Sequence, residues 1–497
     1  MKISLHQEIK DGVDSILLPI SKGDDLKPAL EAVAGKYDFS SRTLARSFLG
    51  EASEVFPFSF EDKQIFLLGL GDKPDFSKIL RAFRSFSHKY RQKISPRLGV
   101  DLLGVDRDPR VAEWAEAAVN GLVLGTYRIG RYKTGEQEVH PLREEEAHLA
   151  IYIDKEEASV TQLAVDRGRA VAETQLAILD LVNAPSNKKL PEDLADWAIG
   201  SGKKHGFRVE VFDKDRILVK GLHALLAVNQ GSAAPPSFII MEYRWPGKDE
   251  KSDIPKVGLV GKGVTFDTGG VSIKPSANMH LMKSDMGGAA AVFGAMEVAA
   301  KLKLPIHLIG IVPATENTVD ATAIRPSDVI DSHSGKTIEI IDTDAEGRLI
   351  LADGLSYMMK EFAPDILIDL ATLTGSTVRT LGYHAAGLFS NSDRMAEALR
   401  SAGEKCGECL WRLPLWDVYK EDLKSDVADI RNYSGRPVAG AIVAAKFLET
   451  FIHEHPEWAH LDIAGVAFCE TELSSQKSAT AFGVRLITEY LMTLGKE

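Results

Sequence analysis

At 497 residues, 44% of them hydrophobic and 26% charged, the chain has the composition of a globular protein and a length that predicts two domains. The formal net charge of −12 argues against a protein that lives on nucleic acid. No apolar run is long enough for a membrane span, the start "MKISLHQEIKDGVDSILLPI" lacks a signal-like apolar core, and the sparse cysteines suit a reducing compartment, so a cytoplasmic location is expected.

The first part alternates short apolar runs ("SILLPI", "QIFLLGLG", "AHLAIYI") with helical stretches, which predicts a smaller α/β domain over residues 1–155. Within it "RAFRSFSHKYRQK" is basic with interleaved aromatics. A helix with Phe83, Phe86 and Tyr90 turned to the core and the basic residues outward explains it, although nucleic-acid binding stays open. Residues 156–187 read as a connecting helix and linker: Leu163, Val165, Ala170, Val171, Leu176, Leu179 and Leu181 recur near the helical period, and "NAPSN" breaks it.

A second, larger α/β domain is expected over residues 188–497, with a mixed, mainly parallel sheet. Its predicted strands "KVGLVG", "IHLIGIV", "TIEIID", "DILIDLA" and "WAHLDIA" are mostly near-continuous apolar runs, as strands covered on both faces should be. Glu242 to Lys256 reads as a surface loop.

Chemistry gathers after these strands, where ligands of open α/β sheets sit. "VGLVG" leads into "KGVTFDTGG", with Lys262 and Asp267, and "TIEIID" into "TDAEGR", with Asp344, Glu346 and Arg348. Between them Lys274 falls in a loop and Asp285 at the start of a helical pattern. If the strands are parallel neighbours, four carboxylates converge. Like charges packed closely would neutralise themselves by raised pKa values unless counterions join them, and two divalent cations balance four carboxylates. Each residue also has an ordinary reading: Asp285 as a helix N-cap, Asp344 and Glu346 as turn and first-turn residues, Lys262 and Lys274 as solvated lysines.

Taken together, "VGKGVTFDTGGVSIKP", "MKSDMGGAAAV" and "DTDAEGRL" resemble the signature blocks of the leucyl aminopeptidase family, the dimetal cytosol aminopeptidases, and the resemblance runs from Leu181 to Leu486. It implies an α/β N-terminal domain, a linking helix and a larger catalytic α/β domain, assembled as a homohexamer. The metal ligands it implies are Lys262, Asp267, Asp285, Asp344 and Glu346, holding two divalent ions per subunit, manganese or zinc. By the same resemblance Asp267 and Glu346 bridge the ions, Lys274 stabilises the developing oxyanion, and Arg348 holds a bicarbonate. The implied reaction removes the N-terminal residue, leucine or another apolar one, from peptides with a free N-terminus and from amino-acid amides, through a bridging metal-bound water. Leu373 and Gly375 in "TLTG" offer backbone groups to the substrate, and Met282 and Ala464 match pocket positions; Met282 has core packing as its alternative.

The chain departs from the family pattern at Asp342, usually asparagine, at Thr268 for serine and at Ala481 for glycine. A phosphoesterase would also use clustered carboxylates, and a binding protein that has lost catalysis would keep the fold. "CGEC", Cys406 to Cys409, lacks the second pair a zinc ribbon needs, and "HEHPEWAH" lacks H-E-x-x-H spacing, so its histidines are expected at loop edges.

Overall fold

The computed structural model describes residues 1–9, 12–23, 26–103, 110–135, 138–154, 158–247 and 254–495. They form two compact units, Met1–Leu176 with Glu472–Ser475, and Ala177–Thr471 with Gln476–Glu497. No helix among the described residues is long and apolar enough to cross a membrane.

The first unit holds a six-stranded sheet of β1 (Lys2–His6), β2 (Ser15–Lys22), β3 (Val55–Phe60), β4 (Lys63–Asp72), β5 (Arg97–Asp101) and β6 (His148–Tyr152), ordered β1-β6-β5-β2-β4-β3. Its pairs are parallel except β3–β4. Helix α1 (Phe76–Lys89) starts at Asp75, whose side chain accepts from the Lys78 amide. It buries Phe83 and Phe86 and leaves Arg81 and Lys89 in solvent, and Tyr90 stacks on Phe86 with ring centres 5.5 Å apart. The basic aromatic stretch is therefore an amphipathic packing helix. The stretch expected to connect the domains is helical as α2 (Ala158–Asn183), and the division between the units falls inside it, after Leu176.

The second unit is built on β7 (Arg208–Phe212), β8 (Ser237–Arg244), β9 (Lys256–Gly261), β10 (Gly263–Asp267), β11 (His307–Asn317), β14 (Ile366–Ala371), β15 (Ala386–Ser390), β16 (Leu410–Arg412) and β18 (Trp458–Asp462). The order is β16-β15-β18-β14-β9-β11-β8-β7, with β10 beside the far end of β11. The central run β18-β14-β9-β11 is parallel, and β8 and β15 join it antiparallel on either side. All residues of β14 and β18 are buried, which explains their unbroken apolar character. Helices α3 (Gly287–Leu302) and α4 (Glu346–Glu361) cover this sheet, and shorter helices α5 (Gly375–Leu381) and α6 (Gly440–Glu449) follow. The approach of α3 is close: a Cβ on Gly288 would collide with the Leu370 carbonyl.

Two expectations are corrected. "TIEIID" is no strand of the main sheet. Only Thr337–Glu339 is extended, as β13 of a small sheet with β12 (Val329–Asp331) and β17 (Ile430–Arg431). Ile340 still bonds to backbone, its amide to the Asp328 carbonyl at 2.8 Å, and beyond it the chain is held by a side chain: Asn432 Oδ1 accepts the Ile341 amide at 2.8 Å, and Asn432 Nδ2 donates to the Asp342 carbonyl at 2.6 Å. Ile338 and Ile340 are buried, so the apolar signal was real, but the strand partners of Ile338 are those of the small sheet and not of the main one. The loop expected over Glu242 to Lys256 is shorter at both ends, because β8 runs to Arg244 and β9 begins at Lys256, and residues 248–253 of it lie outside the described residues.

Candidate active site

The parallel strands deliver side chains to one end of the sheet. Lys262 follows β9, Asp267 ends β10, Leu373 and Gly375 follow β14, and Ala464 follows β18. Lys274, Met282 and Asp285 come from the segment between β10 and α3. Asp344 lies in the turn before α4, whose first turn carries Glu346 and Arg348. All of these line a single cleft of about 560 Å³.

At its floor, carboxylate oxygens of Asp267, Asp344 and Glu346 lie within 4.8 Å of one another. Lys262 Nζ is 2.7 Å from Asp285 Oδ2 and 2.9 Å from Glu346 Oε1, and it donates to the Thr372 carbonyl at 3.1 Å. Lys274 Nζ is 2.8 Å from Asp267 Oδ2 and pairs with Asp344 as well. Four carboxylates thus alternate with two lysine heads.

Burial and mutual repulsion push several of these acids up. Burial moves Asp285 to about 8 with help from Asp267 and Glu346, against the pull of Lys262. Burial, Asp267 and Glu346 move Asp344 to about 7, against Lys274, and burial with Asp267 raises Glu346 against Lys262 and Lys274. Burial alone would depress Lys262 and Lys274, but the surrounding acids outweigh it and hold both above the ordinary lysine value. Burial lowers Arg348 to about 10, opposed by Glu346, Asp342 and Asp462. Four carboxylates against two ammonium groups leave a deficit of two positive charges, which protons partly fill. Oxygen donors within reach of one another and short of positive charge are what hard divalent cations need, so the donor set fits a metal pair.

Local sequence explains the convergence. Gly269 has a φ of 87°, and a Cβ there would lie 2.8 Å from Asp344 Oδ1, so glycine lets the chain turn beneath the acids. A Cβ on Gly347 would come 2.7 Å from Lys262 Nζ, so that glycine leaves room for the lysine beside Glu346. The capping alternative for Asp285 fails: α3 has Met286 at its N-cap with no side-chain bond, and Asp285 instead accepts from Thr372 Oγ1 at 2.8 Å. Lys262 is not a solvated lysine, being 2% exposed.

The three departures have physical readings. Asp342 Oδ1 accepts the Asp344 amide at 2.9 Å, a bond an asparagine carbonyl makes equally well. Thr268 Oγ1 donates to the Asn317 carbonyl at 2.9 Å, as a serine would. Ala481 sits at φ 58°, the left-handed region where glycine carries no penalty and alanine costs about 1 kcal/mol.

Sequence reasoning missed Asn317, Thr372 and Asp462. Asn317 Nδ2 donates to Asp267 Oδ1 at 2.8 Å and to the Thr343 carbonyl at 3.1 Å, and lies 3.4 Å from Glu346 Oε2. It orients the two acids named as bridging. Its signal was its place: "IHLIGIVPATEN" ends in a polar residue at a strand terminus, like Asp267. Asp462, fully buried, accepts from the hydroxyls of Thr374 and Thr377 at 2.6 Å each and from the Ala464 amide at 3.2 Å, which fixes the "TLTG" loop against the loop after β18.

The discounted motifs divide. Cys406 is buried and Cys409 exposed. Of the histidines in "HEHPEWAH", His460 is no loop-edge residue: it is buried in β18, where it faces Asp369. Strand alternation placed it there, not the loop before it.

Comparison with known proteins adds the following. The model of the cytosol aminopeptidase family, catalytic domain, matches residues 177–488. A probable cytosol aminopeptidase of Chloroherpeton thalassium is 42% identical over 512 residues, covering 99% of each chain. Among solved structures, the bottromycin maturation enzyme BotP in complex with Mn aligns with a TM-score of 0.82 at 33% identity, over 97% of this chain and 100% of that one. A mutant of tomato leucine aminopeptidase aligns at 0.86 and 29% identity, over 99% of this chain and 96% of that one.

Proposed function

Since this chain belongs to the cytosol aminopeptidase family, which hydrolyses peptides from the N-terminus, we propose that it is a dimetal leucyl aminopeptidase acting on leucine and other apolar N-terminal residues of peptides and amino-acid amides. The observation that carries this reading is the cleft floor, where the buried Asp267, Asp285 and Glu346, the partly exposed Asp344 and the buried Lys262 crowd together with too little positive charge. Lys262, Asp267, Asp285, Asp344 and Glu346 would hold two divalent cations, manganese or zinc; the manganese complex of BotP is consistent with the former. When bound, the cations supply Lewis acidity, making water more acidic and polarising a carbonyl. To ligate, Lys262 gives up its proton, and with it neutral the four carboxylates balance two divalent charges.

Lys274 keeps its proton. It stands beside Asp267 and Asp344 with 21% of its side chain exposed, a cation facing the cleft where negative charge develops on the scissile carbonyl. Arg348 is anchored by Nη1 to the Asn432 carbonyl at 2.8 Å, while its buried Nε has no hydrogen-bond partner. An anion such as bicarbonate would satisfy that N–H. The free α-amine of the substrate lies against the acids, backbone groups of Leu373 and Gly375 align the peptide, and Met282 and Ala464 wall the side-chain pocket. Trp411, Trp416, Val418, Val427 and Val438 are exposed, which supports burial in a homohexamer, and the names of the relatives support a cytoplasmic location.

The test is turnover of leucine p-nitroanilide with added manganese or zinc, before and after chelation. Metal-dependent turnover is expected. Turnover of p-nitrophenyl phosphate alone would select a phosphoesterase, and no turnover of either with any metal a protein that has lost catalysis.

A further inference from the structure

The cleft extends beyond the acidic floor, and there its charges are of one sign. Every carboxylate lining it belongs to the floor or, in Asp342, lies two residues from it. The lining cations farther out are Arg379, Arg436 and Lys477. Arg379 Nη1 lies 3.4 Å from where a Cβ on Gly375 would be, so the guanidinium stands over the turn that leads out of β14. Arg436 comes shortly before α6, whose Gly440 packs on Ser376: a Cβ there would meet Ser376 Cβ at 3.3 Å. Arg379 thus stands at the first turn of α5, and the segment that carries Arg436 leads into the helix packed on that turn.

Lys477 stands 4.3 Å from the centre of the Tyr383 ring and donates to its hydroxyl at 2.9 Å. Tyr383 in turn packs near Gly465, next to Ala464, where a Cβ would lie 3.9 Å from Tyr383 Cα. These cations are weakly compensated. Among the described residues no carboxylate pairs with Arg379 or Lys477, and Arg436 reaches Asp422 at 3.4 Å with 71% of its side chain exposed.

We propose that Arg379, Arg436 and Lys477 bind a carboxylate on the departing portion of the substrate, so that the preferred substrates are short peptides carrying that charge just beyond the scissile bond. The inference rests on the aminopeptidase reading and names a substrate class for it. With the N-terminal residue held at the floor, the rest of the peptide leads outward. One extended residue spans about 3.3–3.6 Å, so the terminal carboxylate of a dipeptide, or an acidic side chain at its second position, falls just past the reacting carbonyl. Exposed ion pairs are individually weak, but three cations lining one cleft and acting on one anion would discriminate by about threefold to thirtyfold.

The experiment compares kcat/KM of the manganese-loaded enzyme within two matched pairs. Leu-Gly against leucyl-glycinamide reads the terminal carboxylate, and Leu-Asp-amide against Leu-Asn-amide reads the side chain. A ratio above about 3 in either pair, falling at about 0.5 M salt and in the triple variant R379Q/R436Q/K477Q, is expected. The pair that shows it identifies which carboxylate is bound. Ratios below about 3 in both pairs, or a ratio the triple variant leaves unchanged, would overturn the proposal. Leucine p-nitroanilide carries no carboxylate, so anilide turnover with flat ratios sinks this inference alone, whereas no anilide turnover sinks the reading beneath it.

Discussion

Two polar clusters are associated with β14, and they are built to opposite ends. Within the sheet, Asp369 on β14 faces His460 on β18 in register, and neither has any exposed side-chain surface. Asp369 Oδ1 meets His460 Nδ1 at 2.6 Å, and Trp458 Nε1 donates to Asp369 Oδ2 at 2.9 Å. Burial would depress His460, but Asp369 outweighs it and raises the imidazole above its ordinary value, which favours an imidazolium against that carboxylate. At the strand's carboxyl end, four carboxylates share two ammonium groups and open onto a cleft. A buried acid that already faces a base calls for no further cation from solvent. One left unbalanced is a place for cations to enter, and that imbalance separates a site from a brace.

Breaking each cluster should therefore give opposite phenotypes. Glu346→Ala removes a buried carboxylate of the proposed cation site. Turnover should fall about 10³-fold or more, and elemental analysis should find fewer than two metals per chain, with the metal-free melting temperature near that of the parent. Asp369→Ala leaves a buried imidazole and indole unpaired. Chemical denaturation should register a loss of about 3–5 kcal/mol, with the metal count unchanged. Parallel loss of stability and metal in both variants would erase the distinction.

Proton linkage sharpens it. Asp285 and Asp344, raised to about 8 and about 7 from 3.8, hold protons in the folded chain that the unfolded chain has already released. In the metal-free protein, stability should thus fall as pH rises from about 4 to 8. Metal must displace these protons and that of Lys262, so affinity should rise with pH over the same range. Calorimetry between about pH 6 and 8.5 in buffers of different ionisation enthalpy should register proton release on metal uptake; none would remove Lys262 from the ligand set. The smallest effect is expected from Asp342→Asn. Because the Asp344 amide keeps its acceptor, the pH–rate profile should move by less than about one unit, and coincident profiles would show that the extra charge is idle.

Some of this was legible in the residue order. β9, β11, β14 and β18 were readable because strands buried on both faces are unbroken apolar runs, and α1 because its aromatics keep helical spacing. "TIEIID" carried the same apolar signal and misled, since burial of Ile338 and Ile340 says nothing of which sheet their segment joins or of where it gives way to the Asn432 side chain. His460 was hidden by the loop-like residues before it, and Asn317 and Thr372 because a neutral side chain announces nothing until its partner is in view.

By itself, the sequence determined which segments would be buried strands and that acids and lysines follow them, because burial and chain reversal are local properties of residue type. Only the tertiary structure decided that Lys262 sits between Asp285 and Glu346, that Asn317 holds Asp267, and that Asp369 finds His460. Those pairings join residues far apart in the chain, and their energies depend on distance and dielectric, which exist only once the sheet has assembled.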